Sequence, residues 1–273
     1  APARPLIFRE LMRIHPGVPS IRVEYAAILY GREEWSKVID TVQSIPPTSI
    51  YVAEAYRFAV AAAFKSKRAP VAIRLLGQLR ESAPNSPKRF LALIQGLFRA
   101  NDFARARSEL LIDARRRSGD APLNYLYGIS LQETGAEDRA IEVMRSVIQK
   151  KPRHADALNF LGYVLAERGE HLEEAEELLV RALRLKPNDP AYQDSLAWIF
   201  YRQGRYREAE KRIRAALKEL PNHPEMLLHL ACIVRRLGRL EESNDHYRRA
   251  LELQKDPTQR RKYRSEWESA DRL

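Results

Sequence analysis

A single cysteine, Cys232, occurs in the 273 residues, so no intrachain disulfide can form. That usage suits cytosol and periplasm alike. No apolar run approaches the roughly 18 residues a membrane-spanning helix needs. The opening stretch, APARPLIFRELMRIHPG, lacks the uninterrupted apolar core of a secretory signal, so a targeting segment is expected to be absent or already removed. Catalytic signatures are missing too: there is no glycine-rich phosphate loop, no G-x-S-x-G and no H-E-x-x-H. The six histidines are scattered. His229 and Cys232 stand three apart on a predicted helix, but two ligands do not make a metal site, and Cys232 falls where small buried residues are common. No cofactor, metal or catalytic residue is assigned, and a non-enzymatic protein is expected.

Charge is plentiful. The net charge is +11, and 36 of the 47 basic residues are arginine, with acidic residues between them. The densest basic stretches, ARRRSGD at 114–120 and QRRKYR at 259–264, fall at predicted helix ends, where cations are favoured in any protein. Neither is interleaved with enough aromatics for a base-stacking platform. A one-base-per-repeat RNA code would need the same polar positions in every unit, and none recur. Nucleic-acid binding is therefore the alternative reading, not the leading one.

The chain also contains a repeat. A small residue recurs at Gly128, Gly162, Ala197 and Ala231, and a glycine follows seven residues later at Gly135, Gly169, Gly204 and Gly238. A second helix then begins around Ala140, Ala175, Ala209 and Ser243, with Val147, Ala182, Ala216 and Ala250 seven further on. Pro152, Pro187 and Pro221 close the units. The period is 34 residues, with one interval of 35 where GEHLEEA carries an extra residue. Val38, Ala72, Ala106 and Ala140 extend it upstream, where the first helices are less regular. Small side chains let paired helices approach, glycine permits the turn between them, and proline stops the second helix.

Two helices per 34 residues with a proline stop resemble the tetratricopeptide repeat family over nearly all the chain. The resemblance implies an all-α, right-handed superhelix, an α-solenoid of antiparallel helix pairs in which each hairpin covers its neighbour's apolar face. Seven units are expected, at 19–52, 53–86, 87–120, 121–154, 155–189, 190–223 and 224–257. Residues 258–273 would form a polar capping helix. Residues 1–18 read as the second helix of a partial repeat, so the chain is expected to belong to a longer solenoid, and its uncovered LIFRELM face offers a route to self-association.

In such solenoids the first helices line the concave surface, and the resemblance implies that a protein or peptide partner lies there. The residues those helices offer are Tyr125 and Gln132; Asn159, Tyr163 and Glu167; Asp194, Trp198, Tyr201 and Arg202; and Leu228, Arg235 and Arg236. A spacing of four puts Asn159 with Tyr163, and Asp194 with Trp198, on one stripe. Trp, Tyr and Arg dominate binding hot spots, and Asn can hold a peptide backbone. The partner-binding set expected is Tyr125, Asn159, Tyr163, Asp194, Trp198, Tyr201, Arg202, Arg235 and Arg236. The competing reading makes Tyr163, Trp198 and Tyr201 packing residues between hairpins. The four first helices just named lack the Lys that the two-carboxylate clamp of chaperone-binding relatives needs, which argues against a free C-terminal Asp as ligand.

DALNFLGYVLAERG at 156–169 and DPAYQDSLAWIFYRQGRYREAEKRI at 189–213 resemble the D-A-L-N-x-L-G-Y…D-S-x-G-W-x-x-Y-R-x-G pattern of bacterial envelope tetratricopeptide proteins, with Ala197 where the pattern prefers Gly. HLACIVRRLGRLEES similarly echoes H-L-G-x-V-L-W-x-x-G. That family includes outer-membrane lipoproteins, one of which, in Pseudomonas, partners a carboxyl-terminal processing protease. The resemblance implies a bacterial scaffold or adaptor for a protease or cell-wall enzyme. Its location would be periplasmic or outer-membrane-associated, with the cytoplasm as the alternative.

Overall fold

Short polar residues followed by proline start many of the helices. Ser86, Asp120, Asp189 and Asp256 each accept a hydrogen bond from amides of the following turn, and Pro87, Pro122, Pro190 and Pro257 occupy that turn, where a missing backbone donor costs nothing. The computed structural model describes residues 4–15, 17–46, 48–116 and 120–270. Among them are sixteen α-helices and no strand. Of the basic stretch 114–120, residues 117–119 lie outside the described residues, as do the first three and last three residues of the chain.

Two compact units divide the chain, Ala1–Arg117 and Ser118–Leu273. The first contains α1 (Arg4–Ile14) and the hairpins α2 (Pro19–Gly31) with α3 (Trp35–Gln43), α4 (Val52–Lys65) with α5 (Ala69–Glu81), and α6 (Pro87–Arg99) with α7 (Phe103–Arg116). In the second, α8 (Ala121–Glu133) pairs with α9 (Glu137–Lys150), α10 (Ala155–Arg168) with α11 (Leu172–Leu185), α12 (Pro190–Arg202) with α13 (Tyr206–Glu219), and α14 (Pro224–Arg236) with α15 (Leu240–Leu253). A last helix, α16 (Pro257–Ser269), follows. Within each unit the second helix of one hairpin packs on the first helix of the next, and some first helices also meet directly, as α2 with α4 and α10 with α12. None of these helices is long and apolar enough to cross a membrane.

The recurring small residues sit where helices touch. Val38, Ala72, Ala106, Ala140, Ala175 and Ala209 are fully buried. At Gly162 on α10 a methyl group would lie 2.1 Å from Leu179 Cδ2 and 3.0 Å from the Ala175 carbonyl oxygen, so the α10–α11 approach leaves no room for one. On α1, Phe8 and Met12 pack onto the first unit's core, while Leu6, Ile7 and Ile14 are exposed.

A left-handed residue closes each hairpin turn. In the second unit it is glycine: Gly135, Gly169, Gly204 and Gly238 have φ of 77°, 67°, 78° and 81°. In the first unit the same station, 34 residues apart each time, is held by Glu33, Lys67 and Asn101 at φ of 60°, 59° and 56°. The turn geometry is therefore kept where the residue that favours it is not.

Candidate partner-binding faces

In the second unit, α8, α10, α12 and α14 present their first-helix face; α16 packs on the last hairpin, α14 and α15, and reaches that face through Glu266 and Lys262. The amphipathic spacing of α16 explains this: Tyr263, Glu266, Trp267 and Ala270 fall at i, i+3, i+4 and i+7, one stripe of the helix. Tyr263 and Ala270 are buried. Trp267 stacks on Tyr247 at 4.3 Å between ring centroids, lies under the Arg235 guanidinium, and donates its indole N–H to Ser243. Arg236 donates to the Ala270 carbonyl and to the Tyr206 hydroxyl.

Beneath α16 lies a buried polar cluster. His229 on α14 is 1% exposed, with Nδ1 2.6 Å from Asp194 Oδ1 and Nε2 3.7 Å from Glu266 Oε1. Burial alone would lower the imidazole pKa, but Asp194 and then Glu266 outweigh it and push it up to about 10. His229 is thus an imidazolium held between two carboxylates. Glu266 shifts upward because burial penalises its charge more than His229 favours it. The His229 ring stacks on Trp198 at 4.3 Å, and Trp198 stacks on Tyr201 at 4.7 Å. Trp198 Nε1 donates to Glu167 Oε1 at 2.6 Å, and Lys262 of α16 approaches the other oxygen of Glu167 at 3.7 Å.

These contacts change the standing of several expected partner residues. Asp194, Trp198 and Tyr201 were expected to face a ligand, yet they are 7%, 3% and 3% exposed and are spent on His229, Glu167 and one another. The aromatic ladder packs adjacent hairpins, as the competing reading had it, and α16 seals the rest. Tyr163 donates to Glu225 at 3.4 Å, and burial raises its pKa well above the ordinary value. Arg202 reaches the Glu167 carbonyl at 3.4 Å and lies over Gly169. Tyr125 tilts against His154 at 5.0 Å, and burial raises its pKa to about 12. Asn159 is the exception: its Oδ1 is buried without a hydrogen-bond partner among the described residues.

Sequence reasoning missed His229 as the centre of this face, having weighed it only as a metal ligand beside Cys232. Cys232 is fully buried, with its thiol pushed well above the ordinary pKa. No group of three or more His, Cys, Asp or Glu side chains among the described residues could hold a metal. It also missed Tyr263, Glu266 and Trp267, although their helical spacing was legible. Between α8, α10, α14 and α16 remains an opening of about 690 Å³ lined by Glu133, Glu137, Glu167, Glu225 and Lys262.

The first unit has a different face. Between α4 and α6, over α5, runs a groove of about 340 Å³ floored by Tyr56, Val60, Phe64 and Leu76.

Antiparallel helix pairs closed by left-handed turns at a near-constant period define a helical-repeat fold, and comparison with known proteins gives the kind of repeat over residues 131–259. Residues 131–199 and 195–259 match two families described as tetratricopeptide repeat. A tetratricopeptide-repeat-containing protein of Pseudomonas aeruginosa is 35% identical over 143 residues, which are 52% of this chain and 24% of that protein. The chain thus spans about a quarter of the length of the curated relative it matches. Among solved structures, the APC/C hetero-tetramer Cut9-Hcn1 aligns with 97% of this chain and 52% of its own at 15% identity and a TM-score of 0.67. A tetratricopeptide repeat protein of Parabacteroides merdae aligns with 80% of this chain and 86% of its own, at 14% identity and 0.60. One from Thermus thermophilus aligns with 69% and 100%, at 22% and 0.56. At such identities the likeness is one of fold. Residues 131–259 thus carry tetratricopeptide repeats, and the rest of the chain shares their helical-hairpin fold.

Proposed function

We propose that the protein is a non-enzymatic scaffold that docks a segment of a partner protein on the first-helix face of its repeats. The observation that carries this reading is that the second unit already holds a helix there. α16 is seated by two aromatic side chains, a half-buried carboxylate 3.7 Å from His229 and an arginine that bonds its backbone, the means by which a helix-in-groove complex is made. A chain whose repeats bind one helix in this way has a surface suited to others. The finer reading is a bacterial envelope adaptor for a protease or cell-wall enzyme. Its support is the DALNFLGYVLAERG and DPAYQDSLAWIFYRQG motifs and the 35% identity over 143 residues to the Pseudomonas protein.

Unseating α16 tests the general reading. A labelled synthetic peptide of residues 254–270 is expected to bind a folded Tyr263→Ala/Trp267→Ala chain and to bind the wild-type chain far more weakly. No binding to the variant would sink it. For the envelope role, photo-crosslinkers placed at Glu133 and Glu225 in the source cells should capture an envelope protease or cell-wall enzyme. Crosslinks confined to cytosolic proteins would count against it.

A further inference from the structure

The charge of the chain is not shared between its units. Residues 1–117 carry 20 basic and 10 acidic residues, a net +10, whereas residues 118–273 carry 27 and 26, a net +1. In the three helices that form the first unit's groove the imbalance is steeper. α4, α5 and α6 hold seven basic residues against Glu54 and Glu81, and α6 has no acidic residue at all.

The groove itself combines two chemistries. Val60 and Phe64 of α4 are half-buried, with Leu76 of α5 buried beneath them. On either side stand Arg57 and Arg99, both exposed. Each guanidinium lies over an aromatic ring, Arg57 over Phe58 at 5.3 Å and Arg99 over Phe64 at 4.3 Å. Neither meets a carboxylate among the described residues. A guanidinium resting on a ring keeps its N–H edge free, oriented and already partly desolvated, which suits it to a carboxylate.

We infer that this groove binds an acidic protein segment, which buries an aliphatic or aromatic side chain between α4 and α6 and sets flanking Asp or Glu side chains on Arg57 and Arg99. The inference rests on the reading of the repeats as a protein-docking scaffold but concerns a different groove from the one α16 fills. Field and contact act together here: the unit's +10 charge speeds encounter with an acidic partner, and the apolar floor supplies what a purely ionic contact lacks. The same floor argues against nucleic acid. Arg57 and Arg99 could meet a phosphate as well as a carboxylate, but a nucleic-acid strand brings no aliphatic side chain to bury on that floor, and the Phe64 face that a base would stack on is covered by Arg99.

A random peptide library displayed on phage, selected on the full chain, provides the test, with a single-stranded oligonucleotide as counter-probe. The selected peptides should carry Asp or Glu around a large apolar residue. Arg57→Glu/Arg99→Glu should weaken their binding by about tenfold or more, and replacing the peptide's acids with amides should do the same to wild type. Ala92→Phe, which fills the groove from a half-buried position, should also weaken binding while the circular dichroism of the chain is unchanged. Selected peptides without acidic enrichment, or indifferent to both variants, would overturn the inference. If those same peptides bound more tightly to Trp267→Ala, the scaffold reading would stand and only the choice of groove would fall. Selection of no peptide, with the oligonucleotide bound in its place, would overturn both.

Discussion

The two units run the same repeat with different chemistry. In the second, ion pairs join successive hairpins: Arg145 with Glu174, Arg168 with Asp138, Arg205 with Glu176, Arg214 with Glu242, and Arg239 with Glu210. In the first, the ion pairs seen among the described residues are local, Arg13 with Glu10, Arg32 with Glu34 and Lys37 with Glu34. The second closes its turns with glycine and covers part of its first-helix face with its own terminal helix, leaving the acidic opening beside it. The first closes them with Glu, Lys and Asn and leaves its groove open. The lesson is that buried small residues such as Ala72 and Ala140 are enough to hold the register, while turn residues and surface charge are free to serve other ends.

The comparison can be broken most decisively at Trp198. Because its ring is buried, Trp198→Ala should cost about 3–5 kcal/mol in the second unit. Denaturation followed by hydrogen exchange should show residues 121–253 opening early while helices α2 to α6 keep their protection. Equal loss in both units would mean that they do not fold separately.

Next comes pH. The folded His229 pKa of about 10 lies above its ordinary 6.5, so its stabilisation is complete below about pH 6.5 and is lost as pH rises through about 10. Glu266 acts in the same direction, since its folded pKa is also raised. Glu225 and Glu167 nearby add negative charge, and Lys262 partly offsets it. Alkaline pH should therefore unseat α16, at a cost on the order of 3 kcal/mol for an uncompensated buried charge. Trp267 fluorescence should report it, and His229→Gln should flatten the profile between pH 7 and 10. An unchanged profile would remove His229 from the account.

The turns provide a smaller and sharper test. Gly204→Ala meets open space, so its cost of about 1–2 kcal/mol is purely conformational. The reciprocal Lys67→Gly in the first unit should stabilise it by about 0.5–1 kcal/mol. If both changes proved neutral in thermal unfolding, the turn would not be held left-handed in solution. Smallest of all is salt. Screening relieves self-repulsion in a unit of +10 and weakens surface ion pairs in one of +1. Added chloride salt should raise the first unit's stability relative to the second by a few tenths of a kcal/mol, read from local hydrogen exchange.

Much of the fold was legible because repeat signals are local. A small residue, a turn glycine and a proline stop recur within one hairpin, and each acts on neighbours a few residues away. Irregularity in the first half was legible too, but its cause was not. Asn101 is of a type that tolerates the left-handed turn, but Glu33 and Lys67 carry no sign in their side chains that their backbone is left-handed; the packed hairpins on both sides impose it. The candidate face was half legible. Stripe arithmetic put Asp194 and Trp198 together, and they do share one face with His229.

The sequence by itself determined that this protein is a stack of paired helices with two acid–base compositions, since period and charge are properties of the chain. Tertiary structure alone decided which surfaces remain for a partner. Whether α16 points into solvent or caps the last hairpin and reaches His229 depends on burying Tyr263 and Ala270, packing Trp267 on Tyr247, and bringing a carboxylate, Glu266, near an imidazolium. Those energies exist only once the face has assembled, so no local pattern could state that the expected site of the second unit would be covered and the groove of the first left open.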